Sequence, residues 1–280
     1  MRLKALLTIL LAAICATLSA QSQRTGFGIA YYNVGELRGV QLDEGNLHET
    51  QQSNKHAQRR ARWNTQLYNQ QISRTISVID SIALPVIVLY GIESEAVVRD
   101  LVSLSSRDYA YIYRDQNISN GLEFAVLYEG DKFFPEKVTC WDKALCIEGQ
   151  AAKAEIVVIA NARCTSIGVL MRERGLDAKS DNIILIGQPS KTNFEQLGLR
   201  DATLAAEQAG RGNAVKSGRW VMLHKAATSI AARATCEAYA KNWLLDDSRK
   251  PLDTFSRKRY RGGYSASLPI YIYFEDLFAY

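Results

Sequence analysis

Histidine is scarce: three in 280 residues, at His48, His56 and His224. A zinc site therefore has few imidazoles to draw on, and the spacing contains no Cys-x-x-Cys pair either. There are only five prolines, and no stretch is rich enough in Pro, Gly or Ser to act as a linker. Nor is there an internal repeat, so a single large domain is the expectation. Beyond the first twenty residues no second long apolar run occurs, and no further membrane span is expected. A strong charge of one sign is missing too. The formal charge is +5, of which Arg2 and Lys4 supply two, leaving about +3, a mild surplus that gives no strong nucleic-acid signal. The basic run Arg59, Arg60 and Arg62 reads as a solvated helix face rather than a phosphate contact.

The first twenty residues carry an export pattern. Arg2 and Lys4 precede an apolar core from Leu6 to Cys15, too short for a comfortable span, and Ser19-Ala20 offer small residues for cleavage. A retained anchor is the other reading of that run. Lipid attachment at Cys15 is disfavoured because Ile14 precedes it where a small residue is needed. Residues 1–20 are thus expected to be a signal peptide, 21–280 the mature domain, and the location periplasmic or secreted. Cys140, Cys146, Cys164 and Cys236 remain, and an oxidising compartment permits disulfides. Cys140 and Cys146 could close a small loop and Cys164 could meet Cys236, or the thiols stay free and buried.

Along the chain, "TGFGIAYYNVGEL" (25–37) reads as a first strand, and "AQRRARWNTQLYNQQISRTISVI" (57–79) as a helix burying Trp63, Leu67, Ile72, Ile76 and Ile79. "LPVIVLYGI" (84–92) lacks polar alternation and predicts a strand covered on both faces. A helix over 94–107 follows, then strands over 109–115 and 122–129 joined through Asn120-Gly121. Strands are expected at 155–162, 182–190 and 219–229, a short amphipathic piece at 167–179, a helix at 234–245 and a last strand in "LPIYIYF". Val/Ile-rich strands interleaved with helices predict a layered α/β or α+β sandwich.

Working groups in such folds gather just beyond strand ends. Read in order, those segments carry a resemblance. "YYNVGEL" resembles a Tyr-Asn-Val-Glu-Asn-Leu opening, and "LYGIESEAVVRDLV" a Leu-Gln-Glu-Val-Glu-Asn strand with its helix. "NGLEFAVLYEGDKF" is similar to Arg-Gly-Ile-Asp-Val-Ala-Leu-Leu-Tyr, and "NIILIGQPSKTNF" falls where Gly-Asp-Phe-Asn-Asp is expected. "DDSRKPLDTFSRKRYRGGYSASLPIYIYF" resembles Gly-Lys-Pro-Leu-Arg-Thr-Tyr followed by Gly-Gly-Phe-Ser-Asp-His-Leu-Pro-Val-Tyr. In that order, over nearly the whole mature chain, the motifs are similar to those of the endonuclease/exonuclease/phosphatase (DNase I-like) superfamily. The resemblance implies a four-layer α/β (α+β) sandwich: two packed β-sheets flanked by helices.

It also implies a chemistry. Phosphodiester hydrolysis in that superfamily uses a hard cation, usually Mg²⁺, held by carboxylates, with a base-oriented water and hydrogen-bond donors around the phosphoryl oxygens. Carried over position by position, the metal-binding Glu falls on Gly91, with Glu93 as the secondary acid of that motif. The middle His falls on Ala162, or on Asn161 one register earlier. The Asp and Asn of Gly-Asp-Phe-Asn fall on Gln188 and Ser190, a later strand Asp on His224, and the final Asp-His pair on Ala266 and Ser267. Asn33 of the first motif is kept. Losing one general base costs about 10²–10⁴-fold in rate, and here the expected metal ligands are missing as well. The expectation is an inactive member with no cofactor, acting through an unknown ligand or protein partner for which the positive surplus tolerates an acidic one. The alternative is a divergent phosphoesterase or nuclease, with Mg²⁺, rebuilt from Glu93, Asn33 and His224, and from Glu36 and Arg163. A third reading is a structural envelope protein.

Overall fold

Apolar residues without alternation make a strand that must be covered on both faces, and the first strands of this chain are of that kind. The computed structural model describes residues 27–40, 63–116, 118, 121–141, 143–151, 154–161, 167–177, 182–187, 197–204, 221–225, 234–256 and 259–274. Strand β1 (Phe27–Leu37) lies between β2 (Val86–Ile92), parallel to it, and β14 (Ile270–Phe274), antiparallel. With β3 (Ala110–Tyr113), β4 (Glu123–Tyr128) and β11 (Ala234–Ala238) they form one sheet in the order β11-β14-β1-β2-β4-β3. The second sheet runs β5-β6-β7-β8-β10-β9. Its strands are β5 (Phe134–Trp141), β6 (Ala144–Ala151), β7 (Ala154–Asn161), β8 (Ile183–Gly187), β9 (Leu199–Asp201) and β10 (Val221–Lys225). A small hairpin, β12 (Phe255–Ser256) with β13 (Arg259–Tyr260), stands apart from both.

Three apolar clusters fix the layering. Phe27, Ile29, Val86 and Val88 of the first sheet pack with Leu145, Ile147, Ile156 and Val158 of the second, forming the core between the sheets. Ile87 and Leu89, pointing the other way from β2, meet Ile72, Ile76 and Ile79 of helix α1 (Thr65–Ile82) and Val97 and Leu101 of α2 (Glu95–Leu104). Across the molecule, Ile159 and Leu185 meet Ile167 and Leu170 of α3 (Ile167–Glu173). Helix, sheet, sheet, helix is the four-layer DNase I-like order that the resemblance implies.

Local signals set the element ends. Asn64 has extended backbone and its Oδ1 accepts from Leu67 N at 2.9 Å, so α1 starts at Thr65; residues 57–62 of the expected helix lie outside the described residues. The segment 234–245, expected to be helical, is instead strand β11 followed by one 3₁₀ turn over Asn242–Leu244. Its alanines favour a helix locally, yet Cys236 pairs with Ile272 and β11 covers what would otherwise be the unpaired edge of β14. The hairpin β5–β6 has no counterpart among the strands expected from sequence. Within it Cys140 stands opposite Leu145 and Cys146 opposite Thr139. Successive positions on a strand face opposite sides of the sheet, so these two thiols cannot close the small loop. Cys140 is exposed, Cys146 is buried, and both are free, as is Cys236. Cys164 and residues 1–20 lie outside the described residues. No described helix is long and apolar enough to cross a membrane.

Candidate functional site

The ends of β1 and β2 bring the first two motifs side by side. Asn33 pairs with Tyr90 and Leu37 with Ile92, so three residues of β1 face one of β2. The surplus forms a bulge at Val34-Gly35-Glu36, and the residue facing it is Gly91. Gly91 has φ +100°, a backbone that side chains rarely adopt, and a Cβ placed there would stand 2.2 Å from the Gly35 carbonyl oxygen. The position that the resemblance assigns to a metal-binding carboxylate is thus filled by backbone. No side chain enters it unless the bulge moves.

Neighbouring polar groups are engaged in holding this bulge. Asn33 Oδ1 accepts from Gly35 N at 2.9 Å, and the Asn33 carbonyl accepts from Ser265 Oγ at 2.5 Å. Ser265 Oγ in turn accepts from Ser267 N at 3.2 Å. Glu93 turns toward the end of β1. Its Oε1 lies 2.9 Å from Arg38 Nη1, and its Oε2 accepts from Gly39 N at 3.0 Å. Arg38 also meets Glu36 at 3.5 Å, and its carbonyl accepts from Trp63 Nε1 at 2.9 Å. Glu36, Arg38 and Glu93 therefore form one ion-paired clamp on the segment after the bulge.

His224 lies on β10 of the other sheet, opposite Ile184 on one side and Arg200 on the other. Ala266 and Ser267 sit just before β14, with Ser267 buried. Ala162, Gln188 and Ser190 lie outside the described residues, as do Arg163, His48 and His56. Asn161 ends β7, buried and paired with Ala144.

One carboxylate at this end of the sheet was not singled out from the sequence. Glu123 pairs with Ile92 in register and is 4% exposed. Its oxygens accept from Gln116 N at 3.2 Å and Ile118 N at 3.1 Å, closing the loop before β4. Burial pushes its pKa up, the two N–H groups oppose that, and Asp115 adds to it. Its place in "NGLEFAVLYE" gave no hint beyond an acid between apolar residues. Arg38 and Ser265 were also missed as partners, because ion pairs and side chain-to-backbone bonds across the fold leave no local pattern.

A divalent cation requires several oxygen ligands, commonly carboxylates. Among the described residues no group of three His, Cys, Asp or Glu side chains could hold a metal ion. With Gly91 closed by backbone and Glu93 held by Arg38, the described part of the site does not fit Mg²⁺.

A family model described as the endonuclease/exonuclease/phosphatase family matches residues 28–166, from β1 through β7. That match takes in just under half of the chain, and the fold is that of the endonuclease/exonuclease/phosphatase superfamily. None of the curated proteins matches the chain. Solved structures of the superfamily's fold do. A humanized D. rerio TDP2 carrying 14 mutations aligns at TM-score 0.54 and 13% identity, over 89% of this chain and 99% of that one. A truncated Caenorhabditis elegans TDP2 aligns at 0.54 and 14%, over 89% and 97%. An endonuclease/exonuclease/phosphatase family protein from Bacteroides thetaiotaomicron aligns at 0.50 and 13%, over 89% and 94%. At such identities the likeness is one of fold.

Proposed function

We propose that this chain is an exported endonuclease/exonuclease/phosphatase-fold protein that has lost metal-dependent phosphoesterase activity and works by binding a ligand or partner. The observation that carries the reading is Gly91, whose missing side chain leaves no opening because the Gly35 carbonyl occupies its place. A centre that had merely exchanged one ligand for another would keep that space for a side chain. Two further features support it. Glu93 is consumed by Arg38 and Gly39, and alanine and serine stand at 266 and 267. The rebuilt enzyme needs Glu93 free to reach a substrate or a metal, and both of its oxygens are already engaged, one by Arg38 and one by Gly39 N. The N-terminal pattern of residues 1–20 supports export, and the small positive surplus favours an acidic partner over a basic one.

The test is hydrolysis of bis-p-nitrophenyl phosphate and p-nitrophenyl phosphate in Mg²⁺ and in Mn²⁺. The expected rate equals that of buffer with metal. Turnover that disappears in Glu93→Gln or Asn33→Ala would overturn the proposal in favour of the rebuilt enzyme.

A further inference from the structure

The positive surplus of this chain is concentrated in one segment. Residues 239–264 hold seven Lys and Arg against three Asp, a net of +4, while everything past residue 20 sums to about +3. The remainder of the mature chain is therefore slightly acidic. The fold turns the local charge outward. Lys241, Arg249, Lys250, Arg259 and Arg261 are exposed, and none of the five forms an ion pair among the described residues. Two of the three acids are half-buried and bound to backbone instead. Asp246 Oδ1 accepts from Ser248 N and Lys250 N, each at 2.9 Å, and Asp253 Oδ1 accepts from Phe255 N at 3.2 Å. Only Asp247 is exposed. The other two cations, Arg257 and Lys258, lie outside the described residues.

Backbone hydrogen bonds lay the carrying segments side by side. Leu252 N donates to the Leu244 carbonyl at 2.9 Å, Tyr264 N to the Leu252 carbonyl at 2.7 Å, and Arg261 N to the Thr254 carbonyl at 2.8 Å. Arg249 Nη1 donates to Asn242 Oδ1 at 3.0 Å, which holds it beside the turn that carries Trp243. Tyr260 turns inward, its ring 5.9 Å from that of Trp63 and 5.7 Å from that of Phe255. Arg259 and Arg261, on either side of it, project away from that packing. The rings here are largely spent on one another. Tyr264 is met edge-on by Trp243 at 5.0 Å and covered by Arg74 at 6.0 Å. Of these rings only Trp243 is exposed, at 39%.

We propose that the surface of residues 239–264 docks the protein on a bilayer carrying anionic headgroups. An exposed indole settles at the headgroup level, where its ring meets the acyl boundary and its N–H stays wet. Lys and Arg around it meet the negative surface, and each cation near such a surface raises binding about fivefold. Five unpaired cations thus make individually weak contacts strong together. A single-stranded nucleic acid needs a row of free ring faces on which its bases stack, and the rings here are packed against one another. One exposed indole among unpaired cations suits the bilayer. The proposal deepens the binding role given above and takes from it only export, which brings the chain to a membrane surface. It does not depend on whether the β1–β2 centre hydrolyses phosphoesters.

The experiment is co-sedimentation of the exported chain, from Gln21 onward, with sucrose-loaded vesicles at about 0.1 M NaCl. One set is phosphatidylcholine, the other phosphatidylcholine with about one third phosphatidylglycerol. Binding to the anionic set is expected to be at least about tenfold tighter, and to fall when NaCl is raised to about 0.5 M. Arg259→Gln with Arg261→Gln should weaken it by about tenfold or more, and so should Lys241→Gln with Arg249→Gln. Trp243→Ala should weaken it by about three- to tenfold and leave the salt dependence in place. Lys143→Gln with Arg172→Gln takes the same charge from exposed positions elsewhere and should change binding by less than about twofold. An equal loss in that control pair would mean attraction by net charge alone and would overturn the patch. An effect in only one of the two patch pairs would overturn docking through the whole surface. Equal binding to both vesicle sets, or none to either, would overturn the proposal. Retention on single-stranded DNA in that last case would assign the surface to nucleic acid.

Discussion

At residue 91 the absence of a side chain is a packing requirement rather than a gap left by substitution. The φ of +100° and the Gly35 carbonyl 2.2 Å from any Cβ make even a methyl group costly. A side chain in a disfavoured backbone region costs about 1–3 kcal/mol, and the contact adds to that. Gly91→Ala is therefore expected to lose at least about 2 kcal/mol of stability, read from urea unfolding. Unchanged stability would mean that the bulge yields easily, and position 91 could then hold a ligand after all. Ser265 makes the matching case from the other side. Its hydroxyl supplies the Asn33 carbonyl with a hydrogen bond, and Ser265→Ala leaves that carbonyl short, at about 1–2 kcal/mol. The sequence shows that Gly91 lacks the expected carboxylate. It does not show what fills the space, because a bulge is a property of strand pairing.

Elements carry the next level of argument. In the hairpin β5–β6, register puts Cys140 and Cys146 on opposite faces, one exposed and one buried. Cys140 should react with a thiol reagent in the folded protein, and Cys146 only on unfolding, as mass spectrometry of the labelled peptides would show. A Cys140–Cys146 disulfide in air-oxidised protein would mean that the register is different. The loop before β4 makes a pH prediction. Burial leads the causes that raise the Glu123 pKa above its unfolded value. Between those two values the native state holds more protons than the unfolded chain, so stability falls as pH rises through that window. Glu123→Gln should flatten this decline, measured as urea midpoints from about pH 4 to pH 8. Parallel slopes for the two proteins would count against it. The central strands could be read from the sequence because their Val/Ile runs are buried on both faces. The edge strands could not. "FPEKVTCW" is mostly accessible and gives little apolar signal, and "ATCEA" becomes a strand only because β14 offers it an edge.

On the scale of the whole molecule, the positions that the resemblance assigns to catalysis are spread over both sheets. Gly91 ends β2, Ala266 and Ser267 precede β14, and Ala162, Gln188 and Ser190 follow β7 and β8 in the chain. A centre built this way works as a unit, since a base is useless without the metal that activates its water. Restoring only the last motif, as Ala266→Asp with Ser267→His, should therefore give no hydrolysis of bis-p-nitrophenyl phosphate in Mn²⁺. Ser267 is 3% exposed, so the imidazole must force its way into packed surroundings, lowering stability by about 1–3 kcal/mol. The double variant is expected to unfold in one transition, at lower urea than the wild type and without activity. Metal-dependent turnover would show that the remaining oxygen ligands suffice, and the place of Gly91 in the argument would fall. Adding Gly91→Glu to the pair should not produce turnover either. It should instead lower stability further, because the carboxylate can enter only by displacing the bulge that Asn33, Ser265 and the Glu93 clamp hold in place.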